Sequence, residues 1–218
     1  MMSACVLPAA DSAETGVDEP DVSRRAGPSQ IIDAAARLIT RRCDHRPGWS
    51  AIACEAGDPR ADIASCFDGA ASLIDACYAR TAQGLGESLL RAETAPGTTL
   101  DKVAAFLVSA LEIRRARGTL LSFRRCADLP ESLQRRAHEY DAMTRTRLKR
   151  LLQQGHRDGS LALRNLDTAV ELVLACLQVP TVVTDAPEQR MWDGELVELL
   201  LAGLSEPHPP DDGNRLLG

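Results

Sequence analysis

Apolar residues recur three and four positions apart along most of the chain, which is the spacing of one face of an α-helix. Proline and glycine interrupt this pattern at intervals, for example at Pro47–Gly48 and at Gly118. The stretches between interruptions predict an all-α protein of about nine helices. Their approximate bounds are 30–43, 49–56, 60–66, 70–92, 99–117, 119–126, 130–154, 167–178 and 188–203.

The pattern also divides the chain into four regions. Residues 1–27 and 205–218 lack apolar periodicity, and we expect both to be flexible tails, the first of them acidic. Between the tails, residues 28–80 contain mainly short helices joined by tight turns. Residues 81–204 contain mainly long helices, which predicts a second, larger helical domain.

Charge and composition narrow the possible functions. The net charge is −6, aromatic residues make up only 3% of the chain, and all but two of its 25 basic residues are arginine. Such a chain is not expected to carry a broad basic surface or a stacking groove for single strands. Residues 1–23 hold five acidic and no basic side chains, which leaves −1 for the rest. A local contact with double-stranded DNA is therefore still possible.

The stretch from Trp49 to Phe67 has the spacing of a helix-turn-helix. Two short helices flank Ala56–Gly57, and a longer helix precedes them, as in proteins that place a second helix in the major groove. A purely structural three-helix corner has the same spacing. The residues that bear on the choice are Ile31-Ile32-Asp33-Ala34-Ala35, Ile52-Ala53-x-x-Ala56-Gly57, Phe67 with Leu73, and Leu151 to Leu161 followed by Asp167.

In order and spacing these residues resemble the tetracycline-repressor (TetR) family over about residues 28–204. The resemblance implies an N-terminal three-helix DNA-binding domain at 28–80 and a C-terminal ligand-binding and dimerisation domain at 81–204. It implies a repressor that binds double-stranded DNA as a homodimer and is released by a small apolar ligand. The DNA-binding residues implied in this way are Arg41, Arg46, Trp49, Arg60, Asp62, Ile63 and Ser65.

Several positions depart from the family pattern. Pro47–Gly48 stands where a hydroxyl residue usually caps the second helix, Ala64 replaces a tyrosine, and Ala70 replaces a lysine that meets the DNA backbone. Residues 24–80 hold eight basic and seven acidic side chains, a net of only +1. Because phosphate contacts supply much of the affinity for DNA, a second hypothesis stays open. In it the protein has weak or no DNA binding and acts as a ligand sensor or through a protein partner.

The second domain supplies the remaining candidate residues. The resemblance implies a pocket in which Phe106, Phe123, Met143, Leu172 and Cys176 contact a ligand, although ordinary core packing explains them equally well. Helix 167–178 is apolar nearly all round and must be buried on most sides. We expect it to pair with the last helix of a second copy through Val170, Leu174, Leu177, Trp192, Leu196 and Leu199. The arginines around Gly118 (Arg114, Arg115, Arg117, Arg124, Arg125) are interpreted as a solvated face, with an anionic ligand or acidic partner as the alternative.

Other function classes lack a signature. The chain has no GxSxG, Walker, GxGxxG or HExxH motif, and a Cys126–His138 nucleophile pair has no supporting motif, so we expect no enzyme. Cys43, Cys54, Cys66 and Cys77 recur every 11 or 12 residues near His45, which fits a zinc site less well than small buried side chains. We expect no metal or other cofactor. Without a long apolar run or a signal peptide, the expected location is the cytoplasm.

Overall fold

The computed structural model describes residues 26–42, 46–58, 63–124, 126–178 and 186–205. Within these ranges the chain forms seven α-helices, one 3₁₀ turn and no strand. The helices are α1 (Pro28–Arg42), α2 (Trp49–Glu55), α3 (Ala70–Thr94), α4 (Thr99–Arg117), α5 (Glu131–Asp158), α6 (Leu166–Cys176) and α7 (Ala186–Ser205), and the 3₁₀ turn is Ile63–Ser65. The all-α prediction is confirmed. None of the described helices has the length and apolarity needed to span a bilayer.

One of the nine expected helices, 119–126, is not observed where the structure describes it, and another, 60–66, lies partly outside the described residues. Residues 63–66 of the latter are described, and Ile63–Ser65 form the 3₁₀ turn. The segment 119–124 is not helical, because Gly118 ends α4 with a φ of +82°, a left-handed conformation suited to glycine. Leu120, Leu121 and Phe123 then all turn inward and are buried. In this segment neighbouring residues are buried together, whereas the buried residues of a helix recur three and four positions apart.

Local side chains fix where the later helices begin. Thr98 and Asp101 form a reciprocal capping box at the start of α4. At α6 the N-cap is Asn165, not Asp167: the Asn165 side chain accepts from the Thr168 amide at 3.0 Å. Asp167 instead lies in the first turn, where a carboxylate is favourable, and pairs with Lys149 of α5 at 2.5 Å.

Helix α3 lies at the centre of the molecule. It packs against α1 on one side and against α4 and α5 on the other, while α7 packs against α4 and α6. The buried residues form one continuous hydrophobic core, which includes Tyr78 and Leu89 of α3, Phe106 of α4 and Leu152 of α5. Because α3 runs unbroken past residue 80, the two proposed domains share one rigid element.

Arg114, Arg115 and Arg117 do not form a solvated face, so that interpretation was wrong for these three; Arg124 is exposed, and Arg125 lies outside the described residues. Arg114 is only 8% exposed, and its guanidinium donates to Asp193 of α7 at 2.7 Å and to the Leu177 carbonyl at 3.3 Å. Arg115 donates to the other Asp193 oxygen at 2.5 Å. Arg117 donates to the Arg80 carbonyl of α3 at 2.7 Å. Burial lowers the pKa of Arg114 while Asp193 opposes that effect.

Asp193→Asn tests this buried ion cluster. The neutral amide leaves the buried Arg114 guanidinium without its carboxylate, and breaking a buried pair in this way destabilises a protein by about 3–5 kcal/mol. Urea unfolding followed by circular dichroism measures the change. The control is Asp167→Asn, which removes the same charge from an exposed pair and should cost about 0–1 kcal/mol. Equal unfolding free energies for the two variants would contradict the structural role of Asp193.

Candidate DNA-reading face and inner cavity

The described N-terminal elements, α1, α2 and the 3₁₀ turn, pack around a small apolar centre. Ile31 of α1, Ile52 of α2 and Ile63 of the 3₁₀ turn are each at most 2% exposed. After α2 the chain turns at Gly57, which has a φ of +79°. The Asp58 carboxylate then accepts from the Ala26 amide at 3.1 Å, which ties this turn to the chain entering α1.

The expected DNA-reading residues fall into three groups. Arg46, Trp49 and Ser65 are exposed, with Trp49 at 38%. Ile63 is 2% exposed, so it is a core residue and its side chain is not available to a base; that assignment was wrong. Arg60 and Asp62 lie outside the described residues.

Arg41 is exposed, but its charge is partly used within the protein. Its guanidinium pairs with Glu55 at the end of α2, and Arg37 donates to the same carboxylate at 2.7 Å. Burial raises the pKa of the Glu55 carboxyl, yet the two arginines outweigh burial and the pKa lies below its usual value. The N-cap residue of α2 is Gly48, which makes no side-chain cap, as its sequence suggested. The described part of this face therefore offers few groups dedicated to phosphates.

An inner cavity of about 80 Å³ lies between α3, α5, α6 and the segment 120–124. Its inner end is apolar and its mouth is charged. The apolar lining is Leu85, Leu120, Leu121, Phe123, Leu174 and Leu177, and the mouth is formed by Arg124, Asp141, Arg145 and Glu171. We call these four residues the mouth cluster.

Only one expected ligand-binding residue lines this cavity. Phe123 does, whereas Phe106 is fully buried in the core and Cys176 is not part of the described lining. Met143 and Leu172 are 66% and 51% exposed, so they face away from the interior and their assignment was wrong. The sequence pattern could not separate cavity from core, because both draw on the same apolar residues of amphipathic helices.

The mouth cluster was missed, although two signals were present. Asp141 and Arg145 are four apart on α5, a spacing that brings side chains together on a helix, and they pair at 2.5 Å. Glu171 is the one acidic residue within the apolar run from Ala169 to Leu177. It accepts from both Arg145 and Arg124, the latter at 2.5 Å. Burial lowers the pKa of Arg145, but the hydrogen bonds and charges of Asp141 and Glu171 outweigh it and leave the pKa raised.

Part of the expected dimerisation surface is turned inward. Val170, Leu174 and Leu177 are buried within the chain, and the last two line the cavity, so these three were wrongly assigned. Leu196 is half-buried. Trp192 and Leu199 are 55% and 74% exposed, as expected for an interface. Leu172 of α6 and Met191 of α7 add to this exposed apolar set.

The segment 117–124 connects the cavity to α1 and, through it, to α2. Its later residues line the cavity, while the Arg117 carbonyl accepts from Arg37 of α1 at 3.2 Å. Thr119 and Thr40 of α1 share a hydroxyl hydrogen bond of 2.9 Å. Arg37 in turn holds the Glu55 carboxylate and carbonyl of α2. Arg37 thus bridges α2 and the start of the segment whose later residues line the cavity.

The remaining candidate sites are the Cys126–His138 pair and the spaced cysteines. Cys126 and His138 lie 3.6 Å apart, but burial raises the pKa of the Cys126 thiol, so it remains protonated and is not an activated nucleophile. No group of metal-ligating residues occurs among the described residues, and Cys43 and His45 lie outside them. Cys54 and Cys66 are exposed, so they are not the small buried side chains expected from their spacing.

Comparisons with known proteins bear on the fold. No protein-family model and no curated protein sequence matches the chain. Among solved structures, a TetR-family regulator from Agrobacterium tumefaciens has a TM-score of 0.63 at 15% identity, over 82% of this chain and 97% of that one. AibR in complex with isovaleryl coenzyme A and operator DNA has 0.61 at 14% identity, over 84% and 100% of the respective chains. FadR of Bacillus subtilis in complex with stearoyl-CoA has 0.54 at 19% identity, over 80% and 98%. At these identities the likeness concerns architecture, and the chain has the fold of the TetR-family transcriptional regulators.

Proposed function

We propose that the protein is a transcriptional regulator, a repressor that binds DNA as a homodimer and is released by a small ligand in its inner cavity. The observation that carries this proposal is the double role of the segment 117–124, which lines the cavity and contacts α1. A ligand that favours one position of this wall changes the position of α1 in the same step. The proposal is supported by structural neighbours in complex with coenzyme A thioesters, one of them also with operator DNA.

The DNA-reading surface is proposed to include the exposed Arg46, Trp49 and Ser65 together with Arg60. Arg60 stands in the expected recognition helix and is its one strong donor to a base edge or a phosphate. Since residues 24–80 carry a net charge of only +1, we expect modest affinity that depends strongly on salt.

The second candidate function is a ligand sensor that no longer reads DNA. A specific observation favours it: Glu55 neutralises Arg41, and α2 and α3 begin at Gly48 and Gly69 without a side-chain cap that could also meet a phosphate. In this case the fold would transmit the state of the cavity to a protein partner. The two candidates differ in a single measurable property, which is sequence-specific DNA binding.

The homodimer is proposed to form through an exposed apolar surface on α6 and α7. It consists of Leu172, Met191, Trp192 and Leu199, each more than half exposed. A soluble chain seldom leaves so many large apolar side chains on one pair of helices in water. Pairing of this surface across a two-fold axis would bury all four and form a four-helix interface.

Selection of bound sequences from a random DNA library at low salt tests DNA reading. A repressor should enrich a palindromic site whose half-sites lie about 34–36 Å apart, the pitch of one DNA turn. Arg60→Ala should abolish the enrichment, because it removes the strongest donor of the expected recognition helix. Arg150→Ala, an exposed arginine of α5, is the control and should bind as the parent does. Failure to enrich any site with the parent protein would support the sensor function instead.

Leu199→Arg tests the dimer. A charge at the centre of the apolar surface should convert the dimer to a folded monomer, because burying an unpaired guanidinium is costly. Sedimentation velocity measures the mass, and circular dichroism checks folding. Leu90→Arg on α3 is the control, since Leu90 is 57% exposed and lies outside the proposed interface. A Leu199→Arg protein that remains dimeric would overturn the proposed interface.

Arg37→Gln tests the bridge between the cavity wall and the helix-turn-helix. Loss of hydrogen bonds made by a charged group should speed amide hydrogen exchange in α2 by about fivefold or more. Exchange in α5 should not change. Arg42→Gln, in the exposed last turn of α1, is the matched control. If exchange in α2 is the same in Arg37→Gln and in the parent, Arg37 does not couple the two parts.

A further inference from the structure

The charged mouth of the cavity contains an arginine whose orientation is fixed. Arg145 lies on α5, and its Nε donates to Asp141 one turn earlier at 2.5 Å. Its two terminal nitrogens both face the Glu171 carboxylate on α6, with Nη2 at 3.4 Å from Oε2. The guanidinium edge that faces the cavity mouth is thus arranged as a fork for a carboxylate.

The Glu171 carboxylate that occupies this fork lies toward the solvent, where another carboxylate can replace it. The Glu171 and Arg124 side chains are 41% and 64% exposed, whereas those of Arg145 and Asp141 are 23% and 20% exposed. Glu171 and Arg124 therefore have water available when they separate, while Asp141 keeps Arg145 in place. The Arg124–Glu171 salt bridge is exposed on both sides and contributes little free energy, so a second carboxylate has to compete mainly for the Arg145 contact.

When Glu171 is displaced, the charges that remain in the mouth cluster decide which ligand head group is favoured. Without Glu171, the mouth cluster contains two guanidinium groups and one carboxylate, a net of +1 (Arg124, Arg145 and Asp141). A cationic head group would have to displace Arg145 from both carboxylates that hold it. A neutral head group would leave the fork to Glu171. The geometry thus favours an anion of planar, bidentate shape.

The inner end of the cavity sets the rest of the ligand. It is lined by leucines and one phenylalanine. Beyond the mouth cluster the lining has two polar residues: Thr144 donates its hydroxyl hydrogen to the Tyr140 carbonyl, and Gln178 is exposed. With about 80 Å³ of space, it has room for about five to eight groups the size of a water or a methylene. This size and lining suit an unbranched aliphatic chain.

We infer that the cavity binds an aliphatic monocarboxylate of about six to nine carbons, whose carboxylate replaces Glu171 on Arg145 and Arg124 while its tail fills the apolar end. This inference rests on the proposed function, because it names the ligand class of the same cavity. It also gives the ligand a route to the helix-turn-helix. Arg124 belongs to the segment 117–124, so a ligand that replaces Glu171 unties that segment from α6.

Isothermal titration calorimetry of the full chain with octanoate, octan-1-ol and octylammonium tests the inference. The three probes share a tail and differ in head-group charge. Octanoate should bind at least about tenfold more tightly than the other two, because hydrogen bonds to charged groups are the stronger ones. Equal affinities for octanoate and octan-1-ol, or tighter binding of octylammonium, would overturn it.

Glu171→Gln separates this inference from a merely structural role for the mouth cluster. Removing the internal competitor should tighten octanoate binding about threefold to fivefold while octan-1-ol binding stays the same. The control is Asp167→Asn, which makes the same charge change on α6 at the exposed Lys149 pair and should have no effect. Arg145→Gln should weaken octanoate binding at least about tenfold. Unchanged or weaker octanoate binding in Glu171→Gln would contradict the inference.

These outcomes do not depend on DNA. If octanoate binds as expected and no DNA site is enriched, the ligand class stands and the repressor function fails. If a DNA site is enriched and the charge of the probe makes no difference, the repressor function stands and the ligand class fails. Folding of each variant is checked by its unfolding midpoint before titration.

Discussion

The segment 117–124 has to contact α1 and line the cavity at the same time, and much of the structure depends on that constraint. At Gly118 a side-chain carbon would meet Arg37 at 2.5 Å. Beyond it the chain is not helical; Leu121 donates its amide to Thr81 of α3 at 3.2 Å, and Phe123 lines the cavity. A helix in this place would present its apolar residues on one face only. The non-helical path lets the segment contact α1, α3 and the cavity in succession.

The arginine-rich composition has a structural meaning that charge counting alone misses. Five arginines donate hydrogen bonds to carboxylates or carbonyls of another helix: Arg37, Arg80, Arg114, Arg117 and Arg145. The planar guanidinium suits this use, because it serves several acceptors from one fixed position. These five side chains connect helices and are not available as a phosphate-binding surface. Arg41, which pairs with Glu55 of α2, is used in the same way.

Periodicity predicted the described helices and their approximate ends, because amphipathic spacing and proline or glycine breaks are local properties. It failed for residues 119–124, where burial of adjacent side chains depends on α3 and on the cavity. It also failed to assign the faces of α6. That helix is apolar nearly all round, so sequence could not tell that Val170, Leu174 and Leu177 turn inward while Leu172 faces out. The sequence also could not identify the partners of buried arginines, since Asp193 lies about 80 positions from Arg114 along the chain.

In the proposed function, the state of the cavity and the position of α1 and α2 are coupled through Arg37 and the segment 117–124. Thermodynamic reciprocity provides the test. The dissociation constant of octanoate is measured for the protein alone and for the protein saturated with its selected DNA site. Coupling makes octanoate bind more weakly on DNA, by the same factor by which octanoate weakens DNA binding. Identical octanoate affinities in the presence and absence of DNA would contradict it.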